Sequence, residues 1–439
     1  MNNDMTQGSI AGALTSFTVP LILSGVFQQL FNWVDAFIVG NVEGELALAG
    51  IGAVTSTYSM FVMIIVGFTS GLSVLAAQRF GMGRTEEIKY ILSSFSLVLG
   101  GIYLAVCAFG AVFVEEILIF LDTPENIFQN AENYLRIMFI GIPFLAVYNT
   151  CCAVLRGLGD SRAPFLSVLV CSVVNVVLDL VFVAGLRMGT GGAAIATVLS
   201  QIVMTVYLMW YAMVKYPALR FRPGQRLFRR DTAGEGTRFG LPPAIQSGTS
   251  SFGNILLQRF MNGFGDQTVA AITTAYRVDS VLLLPIINFG SGIATVVGQN
   301  IGAGRPERAK QALKTGAAMI AGVSLLLTLL ILLAGGPLIA MFGLTPESVE
   351  IGRQFFIRLA TFYVVYGLAM AVRGYLEGLG DMAFSGAAGI AALLVRIAGS
   401  YALAGVFGRM VIAYAEAISW LVLLGLYLLR YAWKSRADK

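Results

Sequence analysis

The 439-residue chain is 57% hydrophobic and only 12% charged, about half the charged share of an ordinary soluble protein. So few charges exclude a soluble globular surface, and they exclude a disordered chain, which combines low hydrophobicity with high charge. A net charge of +5 fits basic cytoplasmic loops of a polytopic membrane protein as well as it fits nucleic-acid binding. The absence of His removes His-based catalysis, His metal ligands and His proton relays.

A helix needs ~20 apolar residues to cross a bilayer. Twelve stretches qualify: residues 15–39, 50–76, 90–114, 133–155, 164–186, 192–214, 241–263, 269–298, 312–336, 353–376, 383–406 and 410–431. The fold class expected is an all-α membrane protein with twelve transmembrane helices. Met1 to Ala13 lacks Lys and Arg, so the first stretch reads as a retained span rather than a cleavable signal. The longest break, 215–240, carries Arg220, Arg222, Arg226, Arg229 and Arg230 and reads as a linker between a lobe at 1–214 and a lobe at 241–439. Alternate loops hold Arg79, Arg84 and Lys89; Arg156 and Arg162; the central basic run; Arg305, Arg308, Lys310 and Lys314; and Lys434, Arg436 and Lys439. By the positive-inside rule these loops and both termini are cytoplasmic, in a multi-pass protein of the plasma membrane. Cys107, Cys151, Cys152 and Cys171 lie in apolar stretches without C-x-x-C spacing and read as packing residues.

The halves repeat. Gly71, Gln78, Gly81, Gly83, Arg84, Glu86 and Lys89 match Gly292, Gln299, Gly302, Gly304, Arg305, Glu307 and Lys310 at a constant shift of 221 residues. Gly157-Leu-Gly-Asp160 matches Gly378-Leu-Gly-Asp381 at the same shift, and Pro20, Ser24 and Gly25 match Pro243, Ser247 and Gly248 at 223. A shift spanning six helices keeps equivalent helices parallel, so two six-helix lobes are expected around a central cleft, as in secondary transporters. There is no Walker A sequence. The Gly-x-Gly segments read as turns at helix ends rather than phosphate loops.

A charge at mid-membrane costs at least ~3 kcal/mol, so each calls for a reason. The first span carries Gln28, Asn32 and Asp35. The fifth carries Asn175 and Asp179 on one face at i and i+4, and the sixth carries Thr197. None of these spans offers a basic partner at similar depth. Asp35, Asn175, Asp179 and Thr197 supply hard oxygen ligands that suit Na⁺. Two neighbouring buried carboxyls equally suit a proton. In the second half their counterparts are Gln258, Arg396, about Ser400 and, with a local gap, Glu416. Arg396 and Glu416 are placed to neutralise each other, so ion coupling belongs to the first lobe. Gln28, Asn32, Gln258, Arg396 and Glu416 are candidates for lining the cleft. Arg277 and Asp279 are two apart and point to different faces.

Pro20 with Gln28-Gln-Leu-Phe-Asn-Trp-Val-Asp35, Gln299-Asn-Ile-Gly-Ala-Gly304, Arg156-Gly-Leu-Gly-Asp160 and Asn175-x-x-x-Asp179 resemble segments of the multidrug and toxic compound extrusion (MATE) family. The resemblance covers essentially the whole chain. It implies an antiporter that exports amphipathic, often cationic, compounds, driven by Na⁺ or H⁺ influx. It implies a first-lobe cation site at Asp35, Asn175, Asp179 and Thr197, and a bend or hinge at Pro20. One branch of the family adds a Glu in helix seven and an Asp in helix ten. This chain has neither, which puts a second-lobe site there in doubt. No organic cofactor and no nucleic-acid partner are expected, only small substrates and lipids around a functional monomer. The alternative is a flippase for lipid-linked precursors. It would be expected to line its cleft with several cations, and the candidates are Arg259, Arg277 and Arg396. An intramembrane enzyme lacks support, because there is no His, metal motif or nucleophile elbow.

Overall fold

The computed structural model describes residues 4–221 and 224–437. Arg222 and Lys439, counted above among the basic loop residues, lie outside the described residues. All regular structure among the described residues is helical. In lipid the backbone must satisfy its own hydrogen bonds, and long apolar runs do so as helices. In chain order these are α1 (Ile10–Glu43), α2 (Glu45–Gly81), α3 (Thr85–Val112), α4 (Val114–Phe120), α5 (Glu125–Gly157), α6 (Arg162–Asp179), α7 (Gly189–Lys215), α8 (Arg230–Asn262), α9 (Asp266–Leu282), α10 (Leu284–Gly302), α11 (Pro306–Ala340), α12 (Pro346–Ala360), α13 (Tyr363–Gly378), α14 (Met382–Phe407) and α15 (Val411–Ala437). A π-helical turn, Leu180–Gly185, continues α6.

The repeat reaches the helix boundaries. α2 and the α9–α10 pair begin at Glu45 and Asp266 and end at Gly81 and Gly302, both 221 residues apart. α5 and the α12–α13 pair do the same, from Glu125 and Pro346 to Gly157 and Gly378. The copies differ in straightness. Residues 269–298 and 353–376, each expected as one span, are pairs bent by 40° and 47°. Pro285 at the start of α10 removes a backbone donor and accounts for the first bend. At the second bend Thr328 Oγ1 donates to the Ala360 carbonyl at 2.7 Å, giving a freed acceptor a partner.

Among the described residues, eight helices are long and apolar enough to cross a membrane, and each bent pair taken as one span raises the number to ten. One of the eight, Met382–Arg436, comprises α14 and α15 joined by the turn Gly408–Met410. The expected linker 215–240 is shorter than its composition suggests. α8 starts at Arg230, with Asp231 in its first turn, and the expected span 241–263 begins inside that helix. An acidic first turn favours a helix N-terminus, and no proline intervenes before Pro242.

The chain folds as two compact units. One is Leu23–Gly240; the other is residues 4–22 with residues 241–437. The first ten-odd residues of α1 thus pack with the second repeat, and the expected linker packs with the first. Each unit has its own apolar core, around Leu72, Phe95 and Phe139 in the first and Ile293, Phe355 and Tyr363 in the second. Small residues let helices approach closely. A Cβ on Gly157 would fall 2.7 Å from the Ser73 carbonyl of α2, and one on Gly378 would fall 2.9 Å from the Ala294 carbonyl of α10. The Gly-Leu-Gly-Asp segments form turns, with Gly159 and Gly380 at φ of 79° and 87°, where glycine alone is unstrained.

Each segment's aspartate ties down the last helix of its own repeat. Asp160 Oδ2 accepts from Lys215 Nζ and the Tyr216 hydroxyl, both at 2.8 Å. Asp381 Oδ2 accepts from Arg430 Nε at 2.8 Å and Lys434 Nζ at 3.1 Å. Burial pushes the Asp160 carboxyl up, but the Lys215 and Tyr216 hydrogen bonds, the Lys215 charge and the Ala163 N–H more than offset it. The group lies below its ordinary value of 3.8. All four cysteines are free; Cys107 is half-buried and the others are buried.

Candidate ion site and its setting

Unit one brings Asp35, Asn175, Asp179 and Thr197 together. α1 carries Asp35, α6 carries Asn175 and Asp179 a turn apart, and α7 carries Thr197. Asn175 and Asp179 are fully buried, Thr197 is buried and Asp35 is half-buried. Asn175 Nδ2 donates to Thr197 Oγ1 at 3.5 Å, a long bond. The Asp35 and Asp179 carboxyls lie within electrostatic range of each other.

Four buried oxygens have no protein donor among the described residues: Asp35 Oδ1, Asn175 Oδ1 and both oxygens of Asp179. Burying a carboxylate unpaired costs several kcal/mol. Two carboxyls that meet with no N–H or O–H aimed at them need a proton or a cation between them. The donors are all hard oxygens, which fit a monovalent alkali cation. No group of three or more Cys, Asp or Glu side chains suited to a metal occurs among the described residues.

The structure adds three features that the sequence pattern missed. Asp179 ends α6, and the π-helical turn follows immediately, closed by Leu186 N–H to the Val181 carbonyl at 2.8 Å. π turns are rare and recur at functional sites. Tyr134 of α5 is buried within electrostatic range of both Asp35 and Asp179. Gln201 of α7 donates to the Tyr58 hydroxyl at 3.3 Å, and Tyr58 lies within electrostatic range of Tyr134. A tyrosine in an apolar span was the one available signal, since its hydroxyl needs a partner there.

The other sequence candidates lie apart from this cluster. Gln28 and Asn32 are exposed on α1, and Gln258 is exposed on α8, donating to Asn262 Oδ1 at 3.0 Å. In unit two, Arg396 Nη2 meets Glu416 Oε2 at 3.0 Å. Tyr276 donates to the same Glu416 oxygen at 2.7 Å and accepts from Arg396 at 2.8 Å. Asp279, unassigned by sequence, is buried, accepts from the Tyr363 hydroxyl and lies within electrostatic range of Arg396 and Glu416. Arg277 is exposed on the opposite face of α9, with no ion-pair partner among the described residues.

A family model described as MatE matches residues 20–181 and 242–402, once in each repeat. A probable multidrug resistance protein of Bacillus subtilis (strain 168), YpnP, is 31% identical over 86% of this chain and 85% of its own length. An FAD transporter of Shewanella oneidensis is 24% identical over 79% of this chain and 77% of its own. The solved structure of a multidrug resistance MATE family transporter, outward-facing, superimposes with a TM-score of 0.90 at 21% identity, covering 99% of this chain and 98% of that one. These matches span both repeats and the whole fold, and the chain belongs to the MatE family of multidrug and toxic compound extrusion transporters.

Proposed function

We propose that this protein is a cation-coupled antiporter that exports amphipathic, often cationic, compounds across the plasma membrane. Na⁺ or H⁺ enters through the site at Asp35, Asn175, Asp179 and Thr197. The observation that carries this reading is the set of four buried oxygens without donors among the described residues, three on the Asp35 and Asp179 carboxyls and one on the Asn175 amide. Cation loading neutralises that cluster and so changes the stability of its surroundings, which gives the bound ion a differential grip on two conformations. Twelve spans, cytoplasmic termini and a functional monomer belong to the same proposal. The names of the curated relatives support small-molecule export. The flippase alternative draws less support, because Arg396 is engaged by Glu416, and of the three candidates Arg259 and Arg277 alone have no ion-pair partner among the described residues.

The test is ethidium efflux from vesicles with an imposed Na⁺ or H⁺ gradient. Asp35→Asn and Asp179→Asn each replace a charged oxygen by a neutral amide of similar volume. Each is expected to abolish gradient-driven efflux while the protein inserts normally. Full efflux by either variant at normal expression would reject that residue as a ligand. Efflux that follows one gradient alone identifies the ion.

A further inference from the structure

We propose that Arg277 of α9, with Thr273 beside it, recognises an acidic group, a carboxylate or phosphate ester, on the exported compounds. The inference rests on the export reading and names a preferred class within it: amphipathic molecules that carry an anion alongside any cationic group.

α9 packs into its own unit through Thr268, Ala271, Ile272, Ala275 and Asp279, all buried. Its opposite face carries Asp266, Ala270, Thr273, Arg277 and Ser280, at alternating steps of four and three that keep them on one side of the helix. Thr273 is half-buried and the other four are exposed. A face turned to lipid has the opposite composition: α11 exposes Leu325, Leu326, Leu329 and Leu333. Among the described residues, no large apolar side chain is exposed between Ile255 and Ile287. Within a span, so polar a face is tolerated only against water or a polar ligand.

Arg277 follows the first residue of α9, Asp266, by about 16 Å along the helix axis, roughly half the thickness of a hydrocarbon core. That separation keeps it from pairing with Asp266, and the depth is too great for its head to snorkel to an interface. It makes no ion pair among the described residues. Its repeat mate at the shift of 221 is Ser56, so the charge is not part of the scaffold that the repeats share. Thr273, one turn earlier, has a buried hydroxyl without a hydrogen-bond partner. A threonine in an apolar helix ordinarily turns its hydroxyl onto the carbonyl one turn back, as Thr69 and Thr295 do at 2.9 and 3.1 Å. Both residues line an open hollow of about 330 Å³, the small end of the range for ligand sites. A guanidinium presents a planar fork that a carboxylate or phosphate meets with two parallel hydrogen bonds, and the threonine hydroxyl has a third to give. One unpaired cation suits one acidic group rather than a pyrophosphate.

The test compares rhodamine B, which carries a free carboxylate beside a cationic ring system, with its methyl ester, which keeps the rings and loses the acid. Fluorescence polarisation reads binding to the detergent-solubilised protein. The parent is expected to bind the acid more tightly than the ester. Arg277→Ala is expected to weaken binding of the acid by about tenfold to a hundredfold. The ester, a cation, should then bind as well or better. Arg277→Lys keeps the charge without the fork and should fall between parent and Arg277→Ala, and Thr273→Val should cost the acid about threefold. Equal losses for both dyes, or an undiminished affinity for the acid, would overturn the assignment. Phosphatidic acid that displaces rhodamine B from mixed micelles where phosphatidylcholine does not would give Arg277 to a lipid headgroup, and would overturn it too. Gradient-driven ethidium efflux by the parent tests the antiporter reading separately. Efflux without the acid preference removes this inference alone, and the acid preference without efflux removes the antiporter reading while Arg277 stays a binding residue.

Discussion

Removing Arg396 should destabilise the second unit more than removing its partner Glu416. The two side chains are 18% and 10% exposed, so neither relies on water for compensation. Arg396→Ala leaves Glu416 with the Tyr276 hydroxyl alone, and leaves Asp279 near a second carboxylate with no cation. Stranding a buried charge costs about 3–5 kcal/mol; the partial exposure of Arg396 places the expected loss near the lower end, about 3 kcal/mol. Glu416→Ala leaves Arg396 with the Tyr276 oxygen at 2.8 Å and with Asp279 as its remaining anion. A lost charge-assisted hydrogen bond of this kind costs about 1.5–3 kcal/mol, and the replacement anion puts the loss at the low end. The double variant removes both charges and should recover at least about 1 kcal/mol relative to the summed single losses. Thermal unfolding in detergent, followed by fluorescence, reads this directly, because Trp420 is buried in the same unit and stacks on Tyr366 with ring centroids 4.7 Å apart. Additive losses would refute the pairing. Equal losses from the two single changes would refute the role given to Asp279.

Gly71→Ala should be costlier than Gly292→Ala, by about 1–3 kcal/mol of overpacking, because the first meets a backbone carbonyl and the second meets the Thr18 hydroxyl, which can rotate; melting temperatures of the two variants check the order. Asp160→Asn should cost about 2 kcal/mol near neutral pH. The depressed Asp160 carboxyl contributes stability that is present above its ordinary value of 3.8 and is lost as pH falls through its folded value. Melting curves of variant and parent should therefore converge at acid pH, and a constant gap would refute the assignment. Pro20→Ala restores a backbone donor in α1 and should slow ethidium efflux while leaving ethidium binding unchanged, as separate equilibrium-binding and efflux measurements would show.

The membrane character, the long helices and the repeat were all legible in the sequence, because hydropathy and a fixed shift are properties of the chain order itself. The gathering of Asp35, Asn175, Asp179 and Thr197 was legible for a related reason. Asn175 and Asp179 are a turn apart on one helix, and two unpaired carboxylates in apolar spans call for company wherever the helices place them. What the sequence did not show depends on packing across long separations. Tyr363 reaches Asp279 over 84 residues and Tyr276 reaches Glu416 over 140, so no local pattern announces either bond. The π-helical turn after Asp179 carries no proline to mark it, and the break before Tyr363 has none either. The exchange of helix ends is the clearest case. The sequence reads residues 15–39 as one span and residues 215–240 as a linker, and only the seating of Phe17 by Gly292 and of Phe239 on Gly71 decides which core each helix end joins. A helix's own periodicity says which face is buried, whereas the neighbour that buries it is chosen by shape complementarity between surfaces distant in the chain.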